Sequence, residues 1–277
     1  MITALQLGST PLITSQWFVT AISNLAWPGL GVSSVGKGSF AGTKLAISKP
    51  QNFRILIEFM LLGTSFADIA TQRENFESLL SSILTNPPQT LYITKSNGTQ
   101  VQVDIKAILI QGDITADDFQ AHPLLVELQT EYPYLKGVTN RVSTINVYSG
   151  GGFAIPMAIP LPMNSGGQNT ATLTNYGTVA SYPLIVLTGP LTNPQIVNLT
   201  NNQTLNLNYN LLAGQIITID CFNRTAILSP GGNNMRQYLS GDFITLSPGA
   251  NSINLGSANT NQSGTAQFTF QDHYIGV

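Results

Sequence analysis

The uneven placement of ionised side chains constrains this sequence more than any other feature. Nineteen of the charged residues lie between Lys37 and Arg141, and only five follow: Asp220, Arg224, Arg236, Asp242 and Asp272. Over the whole chain charged residues make up 9%, against roughly 25% in an ordinary soluble domain. A second half so poor in charge must withdraw its apolar side chains into a core. It must also cover that core with neutral hydrogen-bonding groups, and Asn, Gln, Ser and Thr are abundant there. Such a surface suits a protein whose faces are occupied by neighbours. The formal charge of −2 argues against a nucleic-acid-binding surface, which needs clustered Lys and Arg.

The charge shift divides the chain. Between the halves runs Tyr148 to Thr170, YSGGGFAIPMAIPLPMNSGGQNT, whose glycines and prolines deny it long regular structure. The reading is two domains, 1–149 and 150–277. Cys221 is the single cysteine, so no intrachain disulfide is expected, and its place at the end of an apolar strand suggests a buried, inert thiol. The first residues carry no Lys or Arg before Lys37, unlike a secretory signal. No uncharged apolar run reaches the roughly 18 residues of a membrane span. A soluble chain made in a cytoplasm is expected, with no membrane partner.

The first half reads as β-structure with one helix. LAISKP, FRILIEFMLL, TLYIT, VQVDIKAILIQGDI and LLVELQTEY have strand character. The helix is predicted over Asp68–Leu84. Ser65 serves as N-cap, Asp68 sits in the first turn, and Ile69, Phe76, Leu79, Leu80 and Ile83 form one apolar stripe. Asn86-Pro87-Pro88 ends it. The second half reads as short strands only: Gln195–Leu199, Thr204–Tyr209, Gln215–Cys221, Thr225–Leu228, Phe243–Leu246, Ser252–Leu255 and Thr265–Phe270, separated by turns such as Leu211–Gly214 and Ser229–Asn233. In Thr204–Tyr209, Leu205, Leu207 and Tyr209 share one face and Asn206 and Asn208 the other. The predicted class is mainly β, with a helix packed on a sheet in the first half and a β-sandwich in the second.

A search for chemistry finds little. His122 and His273 lack metal-ligand spacing and read as structural. Asp117-Asp118 lack the oxygen-rich loop of a calcium site and read as a solvated turn. Gly29-Leu30-Gly31 and Gly36-Lys37-Gly38 lack the context of a phosphate loop and read as a loop between two early strands. Trp17 and Trp27 read as core or contact residues. No catalytic residue, metal site or cofactor is expected, and an enzyme is disfavoured. A polysaccharide hydrolase would need a converging carboxylate pair, and the second half offers only Asp220, Asp242 and Asp272.

Three pieces of the second half carry a resemblance: NYGTVASYPLIVLTGPLTNPQIVNLT (Asn175 to Thr200), GQIITIDCFNRTAIL (Gly214 to Leu228) and LSGDFITLSPGANSINL (Leu239 to Leu255). An Asn-x-Gly turn at Asn175 and Gly177 precedes a strand ending in Gly. Asn193-Pro194 follows, then an Ile-x-Ile-Asp strand ending at Asp220 and leading to Arg224. Last comes a Leu-x-Pro-Gly-x-Asn-x-Ile turn and strand through Pro248, Gly249 and Asn251. The order and spacing resemble the C-terminal domain of siphophage distal tail proteins. The first half is similar more loosely, through its strand–helix–strand layout and Pro133–Leu135.

That resemblance implies a structural virion protein at the tail tip. The N-terminal domain would be β-sandwich-like and form a hexameric ring with copies of itself, joining the tail tube protein to the hub or fibre protein and framing the DNA exit channel. The C-terminal domain would be galectin-like and dock receptor-binding proteins. The final strand, about 268–277, would return to the N-terminal domain. DNA would pass without specific binding, which fits a lining with acidic residues among Glu58, Asp104, Asp113, Asp117 and Asp118. A ring-contact loop is expected at Gly31, Gly36, Lys37, Gly38 and Gly42. The alternative reading is a carbohydrate-binding module on the second sandwich, with Tyr209 and Tyr238 as its aromatic candidates.

Overall fold

The computed structural model describes residues 2–25, 54–113, 120–147, 169–258 and 263–276, and the backbone of 30–36 and 43–50. The chain forms two compact units, Met1–Val138 with Tyr274–Val277, and Thr139–His273.

The first unit is a β-sheet that carries a helix. Along the sheet the order is Thr10–Pro11, Ile2–Leu7, Gln89–Lys95, Gln100–Gln111, Ala121–Thr130, Arg54–Leu62 and Trp17–Ser23. Leu135–Gly137 attaches to Gln100–Gln111. Strict alternation in Arg54–Leu62 buries Ile55, Ile57, Phe59 and Leu61 on one face. The helix spans Phe66–Thr85 and buries Ile69, Gln72, Phe76, Leu80 and Ile83. Phe76 lies edge-on to Trp17 at 5.5 Å and to Phe59 at 4.7 Å, so helix and sheet share one aromatic centre. Ile2 and Leu5 at one end of the sheet line a single cleft with Val19–Ile22 at the other, so the sheet closes toward itself.

The helix start is a variant of the capping box. Ser65 Oγ accepts from Asp68 N at 3.2 Å. The Asp68 carboxylate reaches back past Ser65 and accepts from Thr64 N at 2.8 Å and Thr64 Oγ1 at 3.1 Å. The Thr64 backbone N–H, followed by Gln72 and the Thr64 hydroxyl, holds the Asp68 pKa below its ordinary value.

The second unit is a two-sheet sandwich. One sheet has the order Arg141–Asn146, Thr265–Phe270, Leu184–Thr188, Ile216–Asp220, Thr225–Ser229, Asn233–Asn234. The other runs Thr170–Asn175, Gly249–Gly256, Gln195–Asn198, Gln203–Leu207, Leu239–Gly241. Every second residue points inward from both sheets, and Ile185, Leu187, Ile217, Ile219 and Phe268 from the first meet Leu173, Ile196, Leu205, Ile253 and Leu255 from the second in one core. The mainly β class with a single α-helix among the described residues therefore holds.

Several expectations change in detail. The second unit begins at Thr139 rather than 150, because Arg141–Asn146 pairs along its whole length with Thr265–Phe270. For the same reason Phe268 and Phe270 belong to the second core, and only Tyr274–Val277 joins the first unit. Of the glycines expected in a loop, Gly31 and Gly36 lie instead on Leu30–Gly36, a strand paired with Thr43–Pro50. Phe243–Leu246 is not a ladder strand. At Thr245 amide side chains take the backbone groups, Thr245 O accepting from Asn198 Nδ2 and Asn201 Nδ2 and Thr245 N donating to Gln203 Oε1, while Leu246 makes an isolated bridge with the Ser181 backbone.

Candidate functional site

The motif residues of the second unit assemble into turns and anchors. Asn175 is 1% exposed. Its Nδ2 donates to Val179 O and Leu246 O, both at 2.9 Å, and its Oδ1 accepts from Gly177 N at 2.9 Å. One side chain thus ties the end of a strand to two other segments. A Cβ on Gly177 would stand 2.1 Å from His273 O, so this position admits only glycine without backbone movement. Asn251 is also buried. It accepts from Ser247 N and donates to Ser247 O and Gly249 O, closing the Pro248-Gly249 turn in which Gly249 has φ +93°. Asn193 takes φ +43°, and Pro194 O accepts from Leu207 N.

Asp220 and Arg224 build a second rigid turn. Asp220 Oδ1 accepts from Phe222 N and Asn223 N, each at 2.9 Å, and Oδ2 accepts from Asn223 Nδ2 at 2.8 Å. Arg224 completes the turn at φ +56°. This turn pushes Phe222 and Arg224 outward, and Phe222 is 51% exposed. Its ring packs edge-on against Tyr182 at 5.7 Å. Behind it Cys221 is buried, which pushes its thiol pKa up to about 12.

Phe222 and Arg224 line a cleft of about 420 Å³ together with Tyr182, Gln203, Arg236, Asp242, Phe243 and Thr245. The Arg236 guanidinium lies 4.9 Å from the centre of the Phe243 ring. Tyr209 and Tyr238, the aromatics singled out from sequence, pair with each other at 5.5 Å and do not line this cleft. A separate cleft of about 350 Å³ is lined by neutral residues, among them Asn193, Gln195, Asn206, Asn208 and Ser257.

In the first unit Gly31 and Gly36 lie on Leu30–Gly36 of the early hairpin. Lys37, Gly38, Gly42, Trp27, Asp117 and Asp118 lie outside the described residues. Glu58 and Asp113 are exposed, whereas Asp104 is bound by Lys136 Nζ at 2.8 Å and by the Thr90 hydroxyl at 3.1 Å. Trp17 belongs to the core. His122 is buried opposite Leu61 on the neighbouring strand, and His273 Nδ1 lies 3.3 Å from Ala180 O. Among the described residues no three His, Cys, Asp or Glu side chains converge as metal ligands.

Comparison with known proteins agrees with the motif reading. Residues 176–274 match the family described as siphovirus-type tail component, C-terminal domain. The crystal structure of the Dit protein (gp 19.1) of phage SPP1, described as a paradigm of the hub adsorption apparatus in phages infecting Gram-positive hosts, aligns with a TM-score of 0.64. The identity is 11%, and the alignment covers 98% of this chain and 99% of that one. The phage P2 baseplate in its activated conformation with calcium aligns at TM-score 0.48, 12% identity and full coverage of both chains. Its strontium form aligns at TM-score 0.46 and 14% identity, over 99% of each chain. No curated protein matches the sequence.

Proposed function

We propose that this chain, with the fold of a phage distal tail protein along its length and a siphovirus-type tail component domain at 176–274, is a structural protein of the tail tip. In this reading six copies close into a ring that joins the tail tube to the hub and frames the DNA exit, and the second unit docks receptor-binding or other tip proteins. The observation that carries the reading is the coincidence of two independent likenesses on one chain. The fold likeness spans 98% of it, and the sequence likeness covers most of the second unit.

The residues are suited to the role. A ring needs a heterologous contact repeated by rotation until it closes. The first unit offers the Leu30–Gly36 and Thr43–Pro50 hairpin, and it exposes Phe18, Leu62, Phe66 and Leu109, apolar side chains that a neighbouring copy would cover. A channel that DNA slides through is best lined by residues that do not hold phosphate. Glu58 and Asp113 are the exposed acidic candidates among the described residues, and Asp104 is already paired with Lys136. Virion location follows from the role.

Native mass spectrometry and negative-stain imaging of the full chain, alone and with its tail tube protein, test the proposal. Six-membered rings are expected, with deletion of residues 37–42 reducing them to monomers. A chain that stays monomeric with the tube protein present would overturn it.

A further inference from the structure

We infer that the cleft between Phe222, Arg224, Arg236 and Asp242 is a binding site for an anionic sugar, a pyranose ring bearing a carboxylate or phosphate. The second unit has six charged residues: Arg141, Asp220, Arg224, Arg236, Asp242 and Asp272. Three have internal duties. Arg141 pairs with Asp272, and Asp220 closes its own turn. The remaining three, Arg224, Arg236 and Asp242, all line the same cleft. Among the described residues none of their side chains makes a salt bridge or hydrogen bond. Elsewhere this unit covers its surface with neutral amides and hydroxyls, so charge was not needed here for solubility.

The mixture of groups selects the ligand chemistry. Two guanidiniums are donors only and match the planar fork of a carboxylate or the oxygens of a phosphate. A carboxylate is an acceptor only and suits hydroxyl donors. A simple anion would be repelled by Asp242, and a neutral polyol would leave both guanidiniums without an anion. A sugar acid uses both signs. The exposed faces of Phe222 and Tyr182 supply the apolar platform on which the C–H face of a pyranose rests. An acidic peptide would satisfy the arginines and Asp242 alike, but it presents no rigid C–H face to the Phe222 and Tyr182 rings.

The site is also preorganised. The Asp220 turn fixes Phe222 and Arg224. Gly241, with φ +89° and Thr204 O at 2.1 Å from where a Cβ would stand, fixes the approach to Asp242, and Asp242 N donates to Thr204 O. Gln203 Oε1 accepts both from Thr245 N and from Thr245 Oγ1, which makes the floor rigid. Such a site avoids the ordering cost that weakens flexible ones.

Calorimetric titration of the full chain with glucuronic acid, glucose 1-phosphate, glucose, acetate and inorganic phosphate tests the assignment. At least one of the two charged sugars is expected to bind saturably, about tenfold or more tighter than glucose and than either bare anion; their ranking tells carboxylate from phosphate. Arg224→Asn, which suits the left-handed backbone there, and Arg236→Gln should each weaken that binding by about tenfold without shifting the thermal midpoint. Asp242→Asn should narrow the gap between charged sugar and bare anion, and Phe222→Ala should weaken the sugar alone. No saturation by about 10 mM, equal binding of the bare anions, or full binding in both arginine variants, as the neutral cleft at Asn206 would give, overturns the proposal. Assembly does not enter the readout, so a failure of the ring reading leaves this result standing, and the reverse also holds.

Discussion

Arg141 and Asp272, 131 positions apart in the chain, are joined by a two-point ion pair, Nε to Oδ2 and Nη2 to Oδ2 both at 2.8 Å, with Nε also 3.0 Å from Oδ1. Asp272 is buried and has a further donor, Tyr176 N at 2.9 Å. The Arg141 guanidinium in turn lies 4.2 Å from the centre of the Tyr176 ring. First strand, last strand and motif turn therefore meet at one carboxylate. Asp272→Ala leaves a guanidinium and a backbone N–H without their acceptor. A loss of about 3 kcal/mol is expected, read as a lower denaturant midpoint. Arg141→Met should cost at least as much, because it leaves the buried Asp272 carboxylate with only the Tyr176 N–H, and the double variant should cost less than the sum.

Gly177→Ala tests the close approach to His273. The added Cβ meets backbone, which cannot rotate away, so a loss of about 3 kcal/mol is expected. Asn175→Ala removes three hydrogen bonds in a buried place and should cost about as much. If either variant melts with the parent protein, the turn is not the anchor described here.

Cys221 should be silent toward thiol reagents in the folded state. With its pKa near 12, about one molecule in ten thousand is thiolate at pH 8. Labelling by iodoacetamide should therefore proceed only through unfolding and accelerate sharply in denaturant. Rapid labelling of native protein would contradict the burial.

Asp68 makes a pH-dependent contribution. Its folded pKa lies below the unfolded value of 3.8, so the carboxylate stabilises the helix start above that value and loses the effect as pH falls through the lowered one. Asp68→Asn should lower the thermal midpoint at pH 7. The parent and the variant should converge at strongly acidic pH, where both side chains are neutral. A constant gap between the two melting curves across that range would refute the capping role.

The sequence made the helix legible because stripe, cap and prolines all act within one segment. The reading Asp68–Leu84 differs from the observed Phe66–Thr85 only at its ends. The alternating strands of the second unit were legible for the same reason, as were the motif turns, where Asn, Gly and Pro act locally. Phe243–Leu246 was misread because remote amides at Asn198, Asn201 and Gln203 capture the Thr245 backbone and Leu246 bridges singly to Ser181 instead of joining a ladder, and no local pattern announces either. The charged cleft was illegible for a related reason. Tyr182, Phe222, Arg236 and Asp242 come from four separate stretches, and only the turn at Asp220 and the crossing of the sheets bring them together.

Thr265–Phe270 fills the gap between Arg141–Asn146 and Leu184–Thr188, pairing with both. During translation each of those neighbours is finished long before the strand that joins them leaves the ribosome. Until then both display raw edges of unpaired backbone, open to association with other nascent chains. The second unit must therefore wait for this strand, and a ribosome stalled before residue 265 would hold a product unable to close its sheet. Folding of this unit is expected to be slow, because its closing strand pairs join residues far apart in the chain. Synthesis in the cell would be the stage most exposed to aggregation.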